Sequence, residues 1–199
     1  LRSTYFRELD AVRLEPRIVV HKPLLKNLKF QATAEIKNQI ISEIDETILS
    51  DLTLENRVWR LADGNRFPII NSQQISAGFI YTKKGISIEV DTYYKKVKNI
   101  TALSLGFLNP ENNNFNIGHQ NVIGIDAFFQ KQFNGFNSWV SYSINNATSS
   151  FENLNNSNDF TSKSNVTHSV STAISYKLDG FQFALGWKWQ TGKPYTISE

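Results

Sequence analysis

The sequence predicts an all-β fold: an antiparallel up-and-down meander of about eight strands that forms part of a transmembrane β-barrel. Short stretches alternate apolar and polar residues, and very short turns and very long loops join them in turn. In the clearest stretch, Phe181–Gln190, every odd position is large and apolar or aromatic. Because successive side chains of a strand point to opposite faces, this stripe faces either lipid or the interior of a soluble β-sandwich. In the barrel, the lipid-facing residues would be Phe181, Phe183, Leu185 and Trp187.

The composition narrows the class of protein. The chain has 199 residues, no Cys, a net charge of +3 and a mean hydropathy of -0.34. No segment reaches the roughly 18 to 20 unbroken apolar residues of a membrane helix, a length that barrel strands do not need. The lack of cysteine excludes a disulfide scaffold and a thiolate metal site. The small net charge, with scattered Lys and Arg, does not indicate a nucleic-acid partner.

Four hairpins account for the alternating stretches. The strongest turn signal is Asn134-Gly135, since this dipeptide is favoured in two-residue turns between antiparallel strands. In the second hairpin, Ser87, Glu89, Asp91, Tyr93 and Lys95 share one face, which is typical of a lumen lining. The predicted strand pairs are 13–21 with 28–37, 74–81 with 86–95, 123–129 with 140–144, and 170–176 with 181–190.

Three long connections separate the hairpins, at about 38–72, 99–120 and 146–166. All short turns therefore fall on one side of the sheet, and all long loops on the other. Outer-membrane barrels have this arrangement, with short periplasmic turns and long extracellular loops, whereas a soluble sandwich has no reason to separate them. We expect residues 1–199 to form a single β-barrel segment that is a fragment of a larger barrel.

No catalytic or metal-binding pattern is present, so we expect no enzymatic activity, no metal and no cofactor. The three histidines, His21, His119 and His168, are far apart and lie outside any known metal-ligand spacing. Glu89 and Asp91 could imitate a catalytic carboxylate pair, but with Lys95 beside them they are better explained as a charged lumen lining.

The first long loop contains the best candidates for ligand contact: Arg57, Trp59, Arg60 and Asp63. A tryptophan offers a rigid face to a sugar ring or an apolar group, and arginine forms planar, multidentate hydrogen bonds. The alternative is that Trp59 only packs the loop onto the barrel rim.

Aromatic residues cluster near the predicted strand ends, where a membrane interface favours rings with a polar edge. Packing in a soluble core would also use aromatic residues. The residues concerned are Tyr81, Tyr94, Trp139, Tyr142, Tyr176, Trp187, Trp189 and Tyr195.

Six runs of sequence, in this order and spacing, resemble the barrel of TonB-dependent outer-membrane receptors, particularly those of Bacteroidetes. The runs cover nearly the whole chain, although no single one is specific. They are Leu14–Arg17, Trp59–Gly64, Ser72–Gly78, Glu89–Lys96, Gly124–Lys131 and Thr191–Thr196.

The resemblance implies a barrel of about 22 strands with a plugged lumen, of which this chain would supply roughly a third. It implies a location in the bacterial outer membrane and import of a nutrient such as a siderophore, glycan, peptide or vitamin. The implied partners are membrane lipid, the ligand, a surface lipoprotein, and TonB acting through a plug that this sequence does not contain. The alternative is a soluble β-sandwich adhesin or carbohydrate-binding module.

Overall fold

The computed structural model describes residues 1–46, 56–105, 113–152 and 155–194. Apart from two three-residue 3-10 turns, Arg7–Leu9 and Asn155–Ser157, the regular elements there are all strands. None of the described helices has the length and apolarity needed to cross a membrane. The strands are β1 (Arg2–Phe6), β2 (Ala11–Glu15), β3 (Arg17–Leu25), β4 (Leu28–Gln39), β5 (Ile41–Glu46), β6 (Asn56–Leu61), β7 (Ile70–Lys83), β8 (Ile86–Leu105), β9 (Asn113–Phe133), β10 (Phe136–Phe151), β11 (Phe160–Thr161), β12 (His168–Leu178) and β13 (Phe181–Gln190).

One large antiparallel sheet dominates the fold, with strand order β3-β4-β7-β8-β9-β10-β12-β13 and the short β11 attached to β10. Each of the eight main strands pairs with the next one in this order, which confirms the predicted all-β meander. The sheet is open, because within the described residues the edge strands β3 and β13 do not pair with each other.

Four two-residue turns join the hairpins of the main sheet. At the predicted turn, Asn134 and Gly135 have φ of 42° and 77°, which are the positive angles that this hairpin turn requires. The turns predicted at 22–27 and 82–85 are too long. The strands continue through Leu25 and Lys83, which leaves two residues in each turn.

The predicted first strand is wrong at its beginning. Residues Arg13 to Glu15 belong to β2, which pairs with β1 in a separate two-stranded sheet. Pro16 follows, and since proline has no N–H to donate, it interrupts the ladder before β3 starts at Arg17. The Pro16 carbonyl still accepts a hydrogen bond from the Ile36 N–H at 3.0 Å.

Much of the predicted long connections is also β-structure. The first contains the hairpin of β5 and β6, and the others are shortened by the extended ends of β8, β9 and β10. Asn99 explains why alternation did not reveal the extension of β8. It has φ of 63° and lies at a register shift between Lys98 and Ile100, so the side-chain pattern changes faces there.

The ends of the strands are staggered across the sheet. One lateral row of paired residues starts at Leu28, the first residue of β4. On β8 the row passes through Ile88, two residues after the strand begins (88 − 86). On β10 it passes through Val140, four residues after the beginning (140 − 136), and on β13 through Trp187, six residues after (187 − 181). The step is one residue per strand, about 3.3 Å against a strand spacing of about 4.8 Å. It corresponds to a strand tilt of about 35°, which is within the range of closed barrels.

The main sheet is a single layer, and the few buried apolar side chains lie towards the end with the long connections. Among the described residues they are Ala62, Phe67, Ile69 and Ala147. Phe67 packs edge-on against Phe115, with ring centroids 5.0 Å apart. This small cluster joins the segment after β6 to β9.

Candidate functional site

One face of the main sheet is apolar from edge to edge. The register brings apolar positions into common lateral rows, and one of them crosses seven strands through Phe30, Phe79, Val90, Ala127, Tyr142, Val170 and Trp189. No second sheet covers these side chains in the described part of the chain, and even those in the middle of the sheet are exposed. Val90 is 40% exposed and Phe129 41%.

The predicted lipid-facing residues lie on this face. Phe181, Phe183, Leu185 and Trp187 are 70%, 63%, 75% and 57% exposed. Their partners on β12 include Ile174 and Tyr176, which continue the same stripe. This exposure is what a lipid-facing surface requires, although lipid contact itself stays a prediction.

The apolar stripe ends at nearly the same distance from the short turns on each strand. On β8 its last residue is Tyr94, eight residues after Ile86, and Lys96 follows (94 − 86). On β10 the last residue is Ile144, eight residues after Phe136 (144 − 136). Eight residues span about 26 Å, or about 22 Å after correction for the tilt, close to the height of the apolar band of a membrane barrel. The outward positions change from apolar to polar between Ile36 and Asn38 on β4, Ile75 and Gln73 on β7, Ile123 and Asn121 on β9, and Val170 and His168 on β12.

At this boundary, tyrosine hydroxyls form hydrogen bonds with polar side chains of the neighbouring strands. The Tyr94 hydroxyl donates to Asn121 Oδ1 at 3.0 Å, and the Tyr142 hydroxyl lies 2.9 Å from His168 Nδ1. Trp139 is an exception to the predicted aromatic set. It pairs with Gln130 and so lies on the opposite face, stacked on Phe128. Tyr195 lies outside the described residues.

The opposite face is polar, and a side-chain amide joins two strands across it. Gln31 Nε2 on β4 donates to Glu89 Oε1 at 3.1 Å and to Asp91 Oδ1 and Oδ2 at 2.8 and 2.9 Å. Gly78, on the strand between them, makes this possible, because a Cβ there would collide with the Asp91 carboxylate and the Val90 carbonyl. Sequence separations of 58 and 60 residues hide this contact from any local pattern.

A second glycine on the polar face supports an aromatic ring. Tyr93 lies against Gly124, where a Cβ would come within 2.5 Å of the ring and hydroxyl. A bare backbone under a large ring lets the two strands pair closely while the ring covers the gap.

Polar and small residues continue along one lateral row of this face. The row is His21, Gln31, Gly78, Asp91, Asp126, Ser143, Ser169 and Gln190. No group of three or more metal-ligating side chains with suitable geometry occurs in the described ranges. Glu89 and Asp91 are therefore placed as the sequence predicts, on one polar face, and the structure adds Gln31 and Asp126 beside them.

The predicted ligand-binding residues lie on and after β6, at the end with the long connections. Arg57 is in β6 opposite Asp45, and its side chain is outside the described set. Trp59 is 60% exposed, and Arg60 is also exposed. As neighbours in a strand, Trp59 and Arg60 point to opposite faces of the hairpin, so the structure does not gather these residues into one pocket.

Asp63 organises the turn that follows β6. Its Oδ1 accepts hydrogen bonds from the backbone N–H groups of Asn65 and Phe67, both at 2.8 Å. The bond from Phe67, followed by that from Asn65, holds the pKa of this carboxyl below its usual value. Carboxylates that bond their own backbone two residues on are typical of turns, and this signal was available in the sequence.

No protein-family model and no curated protein matches this chain. Among solved structures, the chain is similar to the FrpB iron transporter from Neisseria meningitidis (F3-3 variant), with a TM-score of 0.60 and 13% sequence identity. The similar region covers 89% of this chain and 26% of that chain, so this chain spans about a quarter of the transporter's length. At this identity the similarity establishes the fold alone. The chain therefore has the fold of part of that protein, an antiparallel meander that is consistent with a barrel segment.

Proposed function

We propose that this chain is a wall segment of a TonB-dependent receptor in the bacterial outer membrane, which imports a nutrient such as a siderophore, glycan, peptide or vitamin. The observation that carries the proposal is the apolar band on one face, which no second layer of the described residues covers and which ends eight to ten residues from the short turns. Monomeric soluble proteins rarely expose contiguous apolar patches larger than a few hundred Å². A wall between lipid and a wet lumen has this distribution on its two faces.

Two further observations support a transport barrel. The stagger of one residue per strand is the offset that a closing sheet needs, and the similar solved structure is named an iron transporter. Nutrient uptake driven through TonB rests on the sequence resemblance. The wall itself would perform no catalysis.

A soluble β-sandwich adhesin or carbohydrate-binding module would need a second layer over the apolar face. The described residues provide no such layer. The alternative therefore has less support than the barrel, and it makes an opposite prediction about the environment of β13.

Site-directed spin labels test this difference directly, and residues 1–199 contain no cysteine of their own that would take up the label. In the full receptor reconstituted in vesicles, labels at Phe183 and Leu185 should be accessible to oxygen dissolved in the bilayer and protected from a water-soluble nickel chelate. Labels at Gln182 and Ala184, on the alternate face, serve as matched controls and should lack this lipid signature. If all four labels report the same environment, the chain is not a barrel wall.

Ligand contact is proposed at the end with the long connections, where Arg57, Trp59, Arg60 and Asp63 lie. The exposure of Trp59 supports it, because a ring that only packed against the rim would be covered. Trp59→Ala and Arg60→Ala in the full receptor should each weaken ligand binding by roughly 2 kcal/mol. If ligand affinity is unchanged and the hairpin of β5 and β6 becomes less stable, Trp59 only packs the hairpin onto the rim. Deletion of the gene should abolish uptake of one nutrient, and full uptake of every candidate would contradict transport.

A further inference from the structure

Two hollows on the outward side of the sheet meet at one lysine. The first is a largely apolar groove of about 410 Å³, lined by residues that include Ile18, Ala34, Ile36, Ile75, Tyr94 and Lys96. The second is a polar hollow of about 420 Å³, lined by residues that include Lys96, Lys98, His119, Ser150 and Glu152. Lys96 lines both.

The groove arises from residue size within one lateral row. Ala34 lies between Ile18 and Ile75 in the register, so a methyl group separates two branched side chains. Ile36 and Gln73 stand in the next row, towards the long connections. The result is a groove that covers two outward rows at the end of the proposed membrane band and crosses β3, β4, β7 and β8.

The polar hollow lies just beyond the boundary of the apolar band. Lys96 and Lys98 are the first two outward positions of β8 after Tyr94, and they pair with Asn121 and His119 of β9. Lys96 is half-buried and Lys98 is exposed. Among the described residues, neither lysine forms an ion pair.

The other charged groups near the two hollows leave a positive balance. Glu35 also borders the groove, but as the neighbour of Ala34 and Ile36 it lies on the opposite face, where its carboxylate is paired with Lys37 at 2.8 Å and with Arg17 at 3.7 Å. Glu152 lies on the rim of the polar hollow. Two lysines therefore face one unpaired carboxylate, and a half-buried cation without an anion at the end of an apolar groove favours an amphiphile with an anionic head.

We propose that this composite surface binds one membrane lipid, with an acyl chain in the groove and an anionic phosphate headgroup between Lys96 and Lys98. The inference rests on the proposed function, because the lipid must come from a bilayer around the barrel. The site belongs to the leaflet on the side of the long connections. Glu152 limits its affinity, since that carboxylate repels the phosphate.

The test compares lipids retained by the full receptor in native mass spectrometry. The protein is inserted into vesicles of phosphatidylcholine with or without phosphatidic acid of the same acyl chains, and is then extracted in mild detergent. A lysine near a charged lipid surface contributes about fivefold to affinity, so Lys96→Gln with Lys98→Gln should lower retention of phosphatidic acid by about 25-fold. Lys131→Gln is the matched control, because Lys131 faces outward near the short turns, opposite Ile86. It should change retention much less than the double variant does, because Lys131 lines neither hollow.

A second pair of variants tests the groove. Ala34→Phe fills its floor and should lower retention of the lipid, whereas Ala127→Phe, on the same face away from the groove, should not. Equal retention by the Lys96 and Lys98 variant and the wild type, or an equal loss with Lys131→Gln, would overturn the inference and leave the barrel standing. A receptor that fails to insert even into pure phosphatidylcholine would overturn the proposed function and this inference together.

Discussion

An arginine placed in the middle of the apolar band should destabilise the protein according to its depth. Val90 lies four residues after the start of β8, halfway along the stripe that ends at Tyr94. Tyr94 is four residues further, about 13 Å along the strand and about 11 Å along the membrane normal at a tilt of about 35°. Arginine on the lipid face costs about 2 to 4 kcal/mol at the bilayer midplane and about 0 to 1 kcal/mol near the interface. We expect Val90→Arg to reduce the free energy of unfolding by the larger amount, and Tyr94→Arg by the smaller.

Urea unfolding of the full receptor in vesicles, followed by tryptophan fluorescence, measures both changes. Ser141→Arg is the control for the opposite face. Ser141 follows Val140, the residue at the depth of Val90, and it lies between Phe128 and Ser171 on the face opposite the apolar stripe. Its cost should be small, and it should not change with bilayer thickness.

Depth is the quantity that separates a membrane wall from a soluble core. In a core, arginine at Val90 or at Tyr94 would bury an unpaired charge, and both would be costly. Equal costs at the two positions, or costs that are the same in thick and thin bilayers, would refute the argument.

Three further predictions concern the polar face and the turn after β6. Gln31→Leu should cost about 1 to 3 kcal/mol in unfolding measurements, because two carboxylates lose a shared donor; no loss would show that water replaces the amide fully. Gly124→Ala should destabilise by about 1 to 3 kcal/mol, because the new Cβ meets the Tyr93 ring and, at 2.9 Å, the Ile144 carbonyl; a Tyr93→Ala background should lower this cost and leave the part due to the carbonyl, and an unchanged cost would show that the ring contributes nothing. The turn held by Asp63 should be fully protected above pH 3.8, the ordinary pKa of the group, and lose protection as the pH falls through its lowered pKa. Hydrogen exchange of the Asn65 and Phe67 amides, compared with an unfolded chain at the same pH, measures this protection. In Asp63→Asn the protection should no longer change as the pH falls through this range.

The strands of the main sheet could be predicted because their signals are local. Alternation over Phe181–Gln190 needs no knowledge of the neighbouring strand, and the positive φ of Asn134 and Gly135 is a property of the turn itself. Where one residue changes the period, the local signal fails. Because of the bulge at Asn99, the sequence predicts a loop where β8 continues. Because of Pro16, one predicted strand is two strands in the structure.

The polar network could not be predicted, because it depends on register between distant strands. Glu89 and Asp91 were visible as a pair, but their partner Gln31 is two strands away, and nothing in its own surroundings distinguishes it. From the sequence alone, Gly78 would be expected to weaken its strand. In the structure, its missing side chain leaves the space that the Asp91 carboxylate occupies. Such contacts follow only once the pairing of all three strands is known.

Few apolar side chains are fully buried in the described part of this sheet. They lie beyond the band, so full burial within the chain offsets little of the cost of ordering eight long strands. The edges of β3 and β13 each leave a row of backbone donors and acceptors without a strand partner in the described structure. In hydrocarbon such edges are tolerated only when further strands close the sheet. If the proposed function holds, lipid covers the band and further strands complete both edges, and the stagger of one residue per strand is compatible with such a closed sheet.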